Sequence, residues 1–158
     1  MKLLWLADRV HLNKYGRLIL RDQYSALPHG PVPSGTLNTS QNDLDGYFGV
    51  TDKTITAVGI FDPSYFSKSD IEVMESVWQD YGNKGGWALR EFSHLFPEWK
   101  RYEKQLKDPN LPKSYPIVID DLFVPPTGAN YYYDPLESEK SRSIFLAHQS
   151  IQNMLSEE

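Results

Sequence analysis

The stretch SALPHGPVPS, Ser25 to Ser34, holds three prolines within six residues, with a histidine and a glycine between them. Proline offers no backbone N–H and fixes φ near the extended or turn value. The residue before each proline is pushed out of the helical region as well. Gly30 can take positive φ where a turn requires it. The segment is therefore expected to be a fixed bend, neither a regular helix nor a central strand. Ser34 is placed to cap whatever follows, and His29 sits inside the bend.

On the N-terminal side, the spacing predicts a helix over about Lys2 to Tyr15. Leu3, Leu6, Ala7 and Val10 form one apolar stripe, and Leu4, Asp8, His11 and Tyr15 form a neighbouring one that carries polar chemistry. Gly16 is a plausible stop. The run RDQYSAL reads as a short helix or helical turn with Asp22 at its N-cap.

On the C-terminal side, the polar run from Thr36 to Gly46 reads as a loop or weak helix. YFGVTDKTITAVGIF reads as a hairpin turning near Asp52 and Lys53. Ser67 to Asp70 matches a capping box ahead of a helix with Ile71, Met74, Trp78 and Tyr81 on one face. A further helix starts near Trp87, with Leu89, Phe92, Leu95 and Phe96 inward and Pro97 as an interruption. IVIDDLF is either a strand or a helix start. From Leu136 to Ser156 the pattern is helical again, through Ile144, Ala147, His148, Ile151, Met154 and Leu155. The fold class expected is mainly α (α+β): one compact helical domain over 1–158 with one small β-hairpin.

The 158 residues suffice for one self-sufficient core. The net charge of −5 argues against general nucleic-acid binding. Cysteine is absent, which excludes disulfides and thiolate metal sites. The opening MKLLWLADRV stops being apolar too soon for a signal peptide, and no stretch approaches the length of a membrane span. The chain is expected to be soluble and cytoplasmic, with no membrane partner.

Several constellations could carry chemistry. Asp8, His11 and Tyr15 share a helix face, which suits either general-base work or a polar network locking the helix to the proline bend. His29 can face an anionic ligand or a metal, or hydrogen-bond a carbonyl and orient the bend. Asp8, His11, Asp22, His29 and His94 could meet at a metal, although no zincin spacing is present; no metal or cofactor is expected. GNKGG before the Trp87 helix is a phosphate cradle or a plain turn. Trp87 and Trp99 are core residues or interface anchors. Of the adjacent Tyr131, Tyr132 and Tyr133, at least one should be exposed. Asp120 and Asp121 are a solvated segment end, or contacts for a metal or a basic partner.

Taken together, LLWLADRVHLNKYGRLILRDQYSALPHGPVPS resembles the opening signature of the Panacea antitoxin domain, or SocA-like antitoxin family. The matching residues are Leu4, Ala7, Asp8, Arg9, His11, Tyr15, Gly16, Arg17, Ile19, Asp22, Tyr24, Ala26 and the run Gly30-Pro31-Val32-Pro33-Ser34. FSKSDIEVMESVWQDYG and WALREFSHLFPEWKR resemble later segments of the family, the second through Leu89, Ser93, His94 and Trp99. The likeness covers about Met1 to Tyr102. Trp5 stands where the family usually has Tyr or Phe. Members often carry a further helix ahead of the signature, which here begins almost at Met1. The match is weak or absent from Tyr115 to Glu158, a region expected to vary with the partner.

The resemblance implies a mostly helical domain with a small β element. It also implies the antitoxin of a toxin–antitoxin pair, of the kind carried by bacteria and phages, neutralising a cognate protein toxin by direct binding and without enzyme activity. Asp8, His11, Tyr15, Asp22, Tyr24, His29, Gly30, Pro31, Pro33, His94 and Trp99 are then partner-binding or scaffold residues, and none is catalytic. Two alternatives stand beside this reading. One is a small metal-dependent or acid/base hydrolase using Asp8, His11 and His29. The other is an operon-autoregulating DNA-binding protein, for which WKRYEKQLK is the sole candidate helix.

Overall fold

The computed structural model describes residues 1–42, 46, 48–51, 55–60 and 62–156. Helix α1 (Lys2–Tyr15) is the axis of the molecule. Trp5, Leu6, Ala7, Asp8, Arg9, His11, Leu12 and Asn13 are all buried, so the helix is enclosed well beyond the single apolar stripe expected from its sequence. It packs against α3 (Lys68–Tyr81), α7 (Pro135–Ser156), a 3₁₀ turn (Ile119–Phe123) and the N-terminal hairpin. It ends at Gly16, which takes φ 70° and returns its N–H to the Leu12 carbonyl. A Cβ at Gly16 would lie 2.6 Å from the Ser141 carbonyl oxygen. Glycine thus both ends α1 and lets α7 cross at close range.

The proline stretch corrects the reading of the sequence. Tyr24–Leu27 is strand β1, and Gly30–Pro33 is strand β2, paired antiparallel from Tyr24↔Pro33 to Leu27↔Gly30. The bend shrinks to Pro28 and His29. Strand β2 lies at one edge of a three-stranded sheet with β1 in its centre, so Pro31 and Pro33 sit where a missing N–H is tolerated. The two-residue β5 (Tyr115–Pro116) pairs on the other side of β1, Ser25 opposite Pro116. Pairing with β2 along its whole length, and with β5 on the other side, makes 24–27 a strand and displaces the helical turn expected there.

Asp22 caps a different helix from the one expected. Its Oδ1 accepts from Gly35 N at 2.9 Å, and its Oδ2 accepts from Thr36 N at 2.7 Å, both in the first turn of α2 (Ser34–Asn42). Ser34 is the first residue of α2 and donates its hydroxyl to Ser25 Oγ at 2.8 Å. The second hairpin forms where expected, with β3 (Phe48–Val50) antiparallel to β4 (Ile55–Ala57). Its turn at Asp52 and Lys53 lies outside the described residues.

The capping box at Ser67 and Asp70 opens α3 as read. The helix buries Asp70, Val73 and Val77, while Trp78 is exposed, so the covered face is turned from the one predicted. Polar contacts of Asp70 with α1 and Arg17 pull that side inward. In α4 (Gly86–Ser93) Leu89 is buried and Trp87 is exposed, which rules out the first of its two readings, core, and leaves the second, an interface anchor, open. Two short helices, α5 (Pro97–Lys100) and α6 (Glu103–Lys107), follow. Helix α7 forms as expected, yet Ile144, Ile151, Met154 and Leu155 are exposed and the buried residues are Ser138 and Ser141.

The fold is mainly helical, with seven α-helices among the described residues and more sheet than the single hairpin expected. Its largest core cluster gathers Trp5, Leu6, Ala7, Tyr24, Val73, Val77 and Phe96. A second joins Leu12 to Leu122 and Phe123, and a third joins Ala26 to Trp99 and Leu106. Among the described residues, no helix is long and apolar enough to cross a membrane.

Candidate functional site

The polar residues of α1 divide into three separate knots. Asp8 accepts from Ile19 N at 2.5 Å, from Leu20 N at 3.1 Å and from the Tyr24 hydroxyl. Burial raises the Asp8 pKa above the usual carboxylate value, and the Tyr24 and backbone donors oppose that rise. Burial beside this carboxylate pushes the Tyr24 phenol up. The knot pins the 16–23 loop and the start of β1 onto α1.

His11 ties α1 to α3. Its Nδ1 lies 2.9 Å from the Arg17 carbonyl oxygen, which can only accept, so Nδ1 carries a proton. Nε2 lies 3.1 Å from Ser69 Oγ and 3.1 Å from Asp70 Oδ1. Burial lowers the His11 pKa, partly offset by the hydrogen bond to the Arg17 carbonyl. Arg17 occupies Asp70 Oδ1 at 2.6 Å. Tyr15 stacks at a tilt on the His11 ring, centroids 4.7 Å apart.

The third knot centres on Arg9, which the signature includes but whose role the sequence reading left unassigned. Arg9 and Glu98 are fully buried and paired at 3.4 Å, and the Trp5 indole donates to Glu98 Oε1 at 3.2 Å. Arg9 also donates to the Leu122 and Val124 carbonyls and lies 4.8 Å from the Phe96 ring centroid. Burial raises the Glu98 pKa and Arg9 opposes it. An arginine in the middle of a helix otherwise turned to the core was the available signal, because buried guanidinium groups are paired.

No hydrogen bond joins Asp8 to His11, or either of them to His29, among the described residues. Asp22 is engaged by Gly35, Thr36 and its own neighbour Gln23. Burial raises its pKa, but these donors outweigh burial and hold the carboxyl below its ordinary value. Among the described residues no three His, Asp or Glu side chains are grouped to hold a metal. Asp121 pairs with Arg101 and Asp120 with Arg142. GNKGG is the turn between α3 and α4.

His29 belongs to a different place, the tip of the first hairpin. Arg90 Nε donates to His29 Nδ1 at 3.2 Å, which leaves the proton of a neutral ring on Nε2. The Arg90 guanidinium lies 5.5 Å from the Trp87 ring centroid, and the His29 ring meets Trp87 edge-on at 6.1 Å. Trp87 is 72% exposed. The tip is held from beneath: Lys2 Nζ donates to the Pro31 carbonyl at 2.7 Å, and the Trp99 indole to the Leu27 carbonyl at 2.9 Å. Gly30 takes φ 102°, and a Cβ there would collide with Ser93 Oγ. Beside the tip, Pro28, Arg90, His94 and Trp99 help line a cavity of about 590 Å³.

His94 stacks flat on Trp99, centroids 3.5 Å apart and planes 7° apart. Its Nε2 is buried with no hydrogen-bond partner. Burial and then Arg90 push its pKa down to about 4. Of the three tyrosines, Tyr132 is exposed, Tyr131 packs against Phe96, and Tyr133 donates to the Phe123 carbonyl at 2.8 Å.

No curated protein and no solved structure matches the chain. The family model described as antitoxin SocA-like, Panacea domain, matches residues 1–100, the stretch that carries all three knots' α1 residues and the whole hairpin tip. The chain belongs to the SocA-like antitoxin family, as a Panacea-domain protein.

Proposed function

We propose that this chain is the antitoxin of a toxin–antitoxin pair and neutralises a cognate protein toxin by direct binding, with the hairpin tip as its contact platform. The observation that carries the reading is Trp87, left largely exposed yet held in place by Arg90 and His29. Tryptophan and arginine dominate the energetics of protein interfaces. A platform already fixed by prolines and hydrogen bonds loses little conformational entropy on docking. An ordinary interface covers about 800 Å² on each partner, enough to occlude an active site.

The signature residues Asp8, His11, Tyr15, Asp22 and Tyr24 serve as scaffold in this reading, since each is engaged by internal contacts. That engagement also weighs against the hydrolase alternative, in which Asp8, His11 and His29 would converge. The DNA-binding alternative draws little from α5 and α6, where Arg101 is paired with Asp121 and Lys107 with Glu103. Residues 115–158 adapt a shared scaffold to its particular toxin. The site of action is the cytoplasm.

The test is co-expression with the toxin encoded beside this chain. Wild type restores growth and co-purifies with the toxin. Trp87→Ala and Arg90→Ala keep the wild-type Tm but lose rescue and capture. Full rescue by both variants would contradict the platform.

A further inference from the structure

At the foot of the first hairpin, at the other end of β1 from the proline tip, a cavity of about 700 Å³ opens between the 16–25 loop and α7. Leu18, Ile117, Ile119 and Phe145 supply its apolar surface. His148, Gln149 and Gln152 line it from α7, and Arg21, Asp22 and Gln23 from the loop.

The charges around it are mostly spent. Arg17 is held by Asp70 at 2.6 Å and by Ser67 at 2.8 Å, and the Asp22 carboxylate is taken by the start of α2. Arg21 differs. It is exposed and makes no hydrogen bond or ion pair among the described residues. Its backbone sits at φ 52°, the left-handed region, where it is the one non-glycine among the described residues. The turn is fixed on both sides within the chain, by Asp8 accepting from Ile19 N and Leu20 N and by Asp22 capping α2, which offsets the unfavourable φ. It leaves the exposed, unpaired Arg21 guanidinium as a positive charge lining a partly apolar groove, available to a ligand of opposite charge.

We propose that this groove binds an extended segment of a partner protein in which a carboxylate side chain is flanked by apolar residues, with Arg21 as its anchor. The guanidinium fork matches a carboxylate in a bidentate fashion. The apolar surface takes the flanking side chains, and the Gln149 and Gln152 amides can both donate to and accept from an extended backbone. Phe145 to Gln152 spans about 10 Å of helix, the length of about three extended residues. The loop side of the groove lies within the family-matched residues 1–100, and the α7 side lies outside them. The inference rests on the antitoxin reading for the partner's identity, which makes the segment part of the toxin.

Fluorescence anisotropy of the full chain with three labelled pentapeptides tests this. One alternates leucine and glutamate, a second carries glutamine for glutamate, and a third carries lysine. The glutamate peptide binds at least about tenfold tighter than the glutamine peptide, and the lysine peptide binds weakest. Arg21→Gly brings the glutamate peptide to the glutamine level while raising Tm by about 2–4 °C, because glycine relieves the strained φ. Arg21→Lys falls between. Trp87→Ala leaves all three affinities unchanged. Equal binding of the glutamate and glutamine peptides, no binding of any peptide, or undiminished binding by Arg21→Gly overturns the proposal. Should the wild type capture no toxin while the peptide pattern holds, the groove stands and the antitoxin reading falls, so the two failures are distinguishable.

Discussion

Arg9 and Glu98 form an ion pair with both side chains fully shielded from water, joining α1 to α5 through the centre of the fold. Three of the remaining contacts of Arg9 go to main-chain carbonyls of the 3₁₀ region, at Asp121, Leu122 and Val124. The pair therefore fastens the family-matched part of the chain to the part beyond it. Removing one member strands a buried charge. Arg9→Met alone is expected to destabilise the chain by about 3–5 kcal/mol. The double variant Arg9→Met with Glu98→Leu should recover a large share of that loss, because an apolar pair needs no desolvation of charge. Urea denaturation of the two single variants and the double variant measures the coupling.

The Asp8–Tyr24 contact makes a second prediction. Tyr24→Phe removes one donor to a buried carboxylate and should cost about 1–3 kcal/mol of stability. If these residues are scaffold, toxin affinity of the folded variant is unchanged, and calorimetric titration at a temperature where the variant is folded checks this. A drop in affinity larger than the drop in folded fraction would mark Tyr24 as a contact residue.

Stability should depend on pH through His94. Its folded pKa is about 4, below the ordinary value of 6.5. As pH falls through 6.5 the unfolded chain takes up a proton that the folded chain refuses until about pH 4. Stability from this group is thus full above 6.5 and declines across that window. His11 is shifted in the same direction, whereas Asp8 and Glu98, raised by burial, act in the opposite sense. The His94 share is read by comparison: Tm measured from pH 7 to pH 4 should fall less steeply for His94→Phe than for wild type.

Gly16 should tolerate no side chain. Its φ of 70° and the 2.6 Å approach to the Ser141 carbonyl both oppose a Cβ. Gly16→Ala is expected to lose more than about 1 kcal/mol. Hydrogen exchange should show faster opening of α7 in that variant.

What could be read from the sequence was what local chemistry decides. The capping box at Ser67, the stop at Gly16 and the periodicity of α7 each act within a few residues, and each element formed. The β1 strand was misread because its partner 30–33 is proline-rich and the Pro28-His29 turn between them lacks the usual hairpin signal, while the added pairing with β5 and the capping of α2 by Asp22 are long-range. Helix α1 looked amphipathic by stripe, yet its polar residues Asp8, Arg9, His11 and Asn13 are inside, engaged by the following loop and β1 for Asp8 and by residues beyond position 68 for Arg9, His11 and Asn13. Spacing left Trp87 open between core and interface anchor; it is exposed, beside the hairpin tip, where His29 of the tip and Arg90 of α4 meet its ring. The strain at Arg21 has no sequence signal at all, since arginine carries no preference for positive φ.

The measurement that bears most directly on the central claim is the affinity of the purified neighbouring toxin for wild type, Trp87→Ala and Arg90→Ala, titrated calorimetrically with all three chains shown to be folded. The account predicts tight binding by wild type and a loss of at least about 2 kcal/mol for Trp87→Ala, the range of an interface hot spot. Equal affinity for all three, or no binding by wild type, would contradict it.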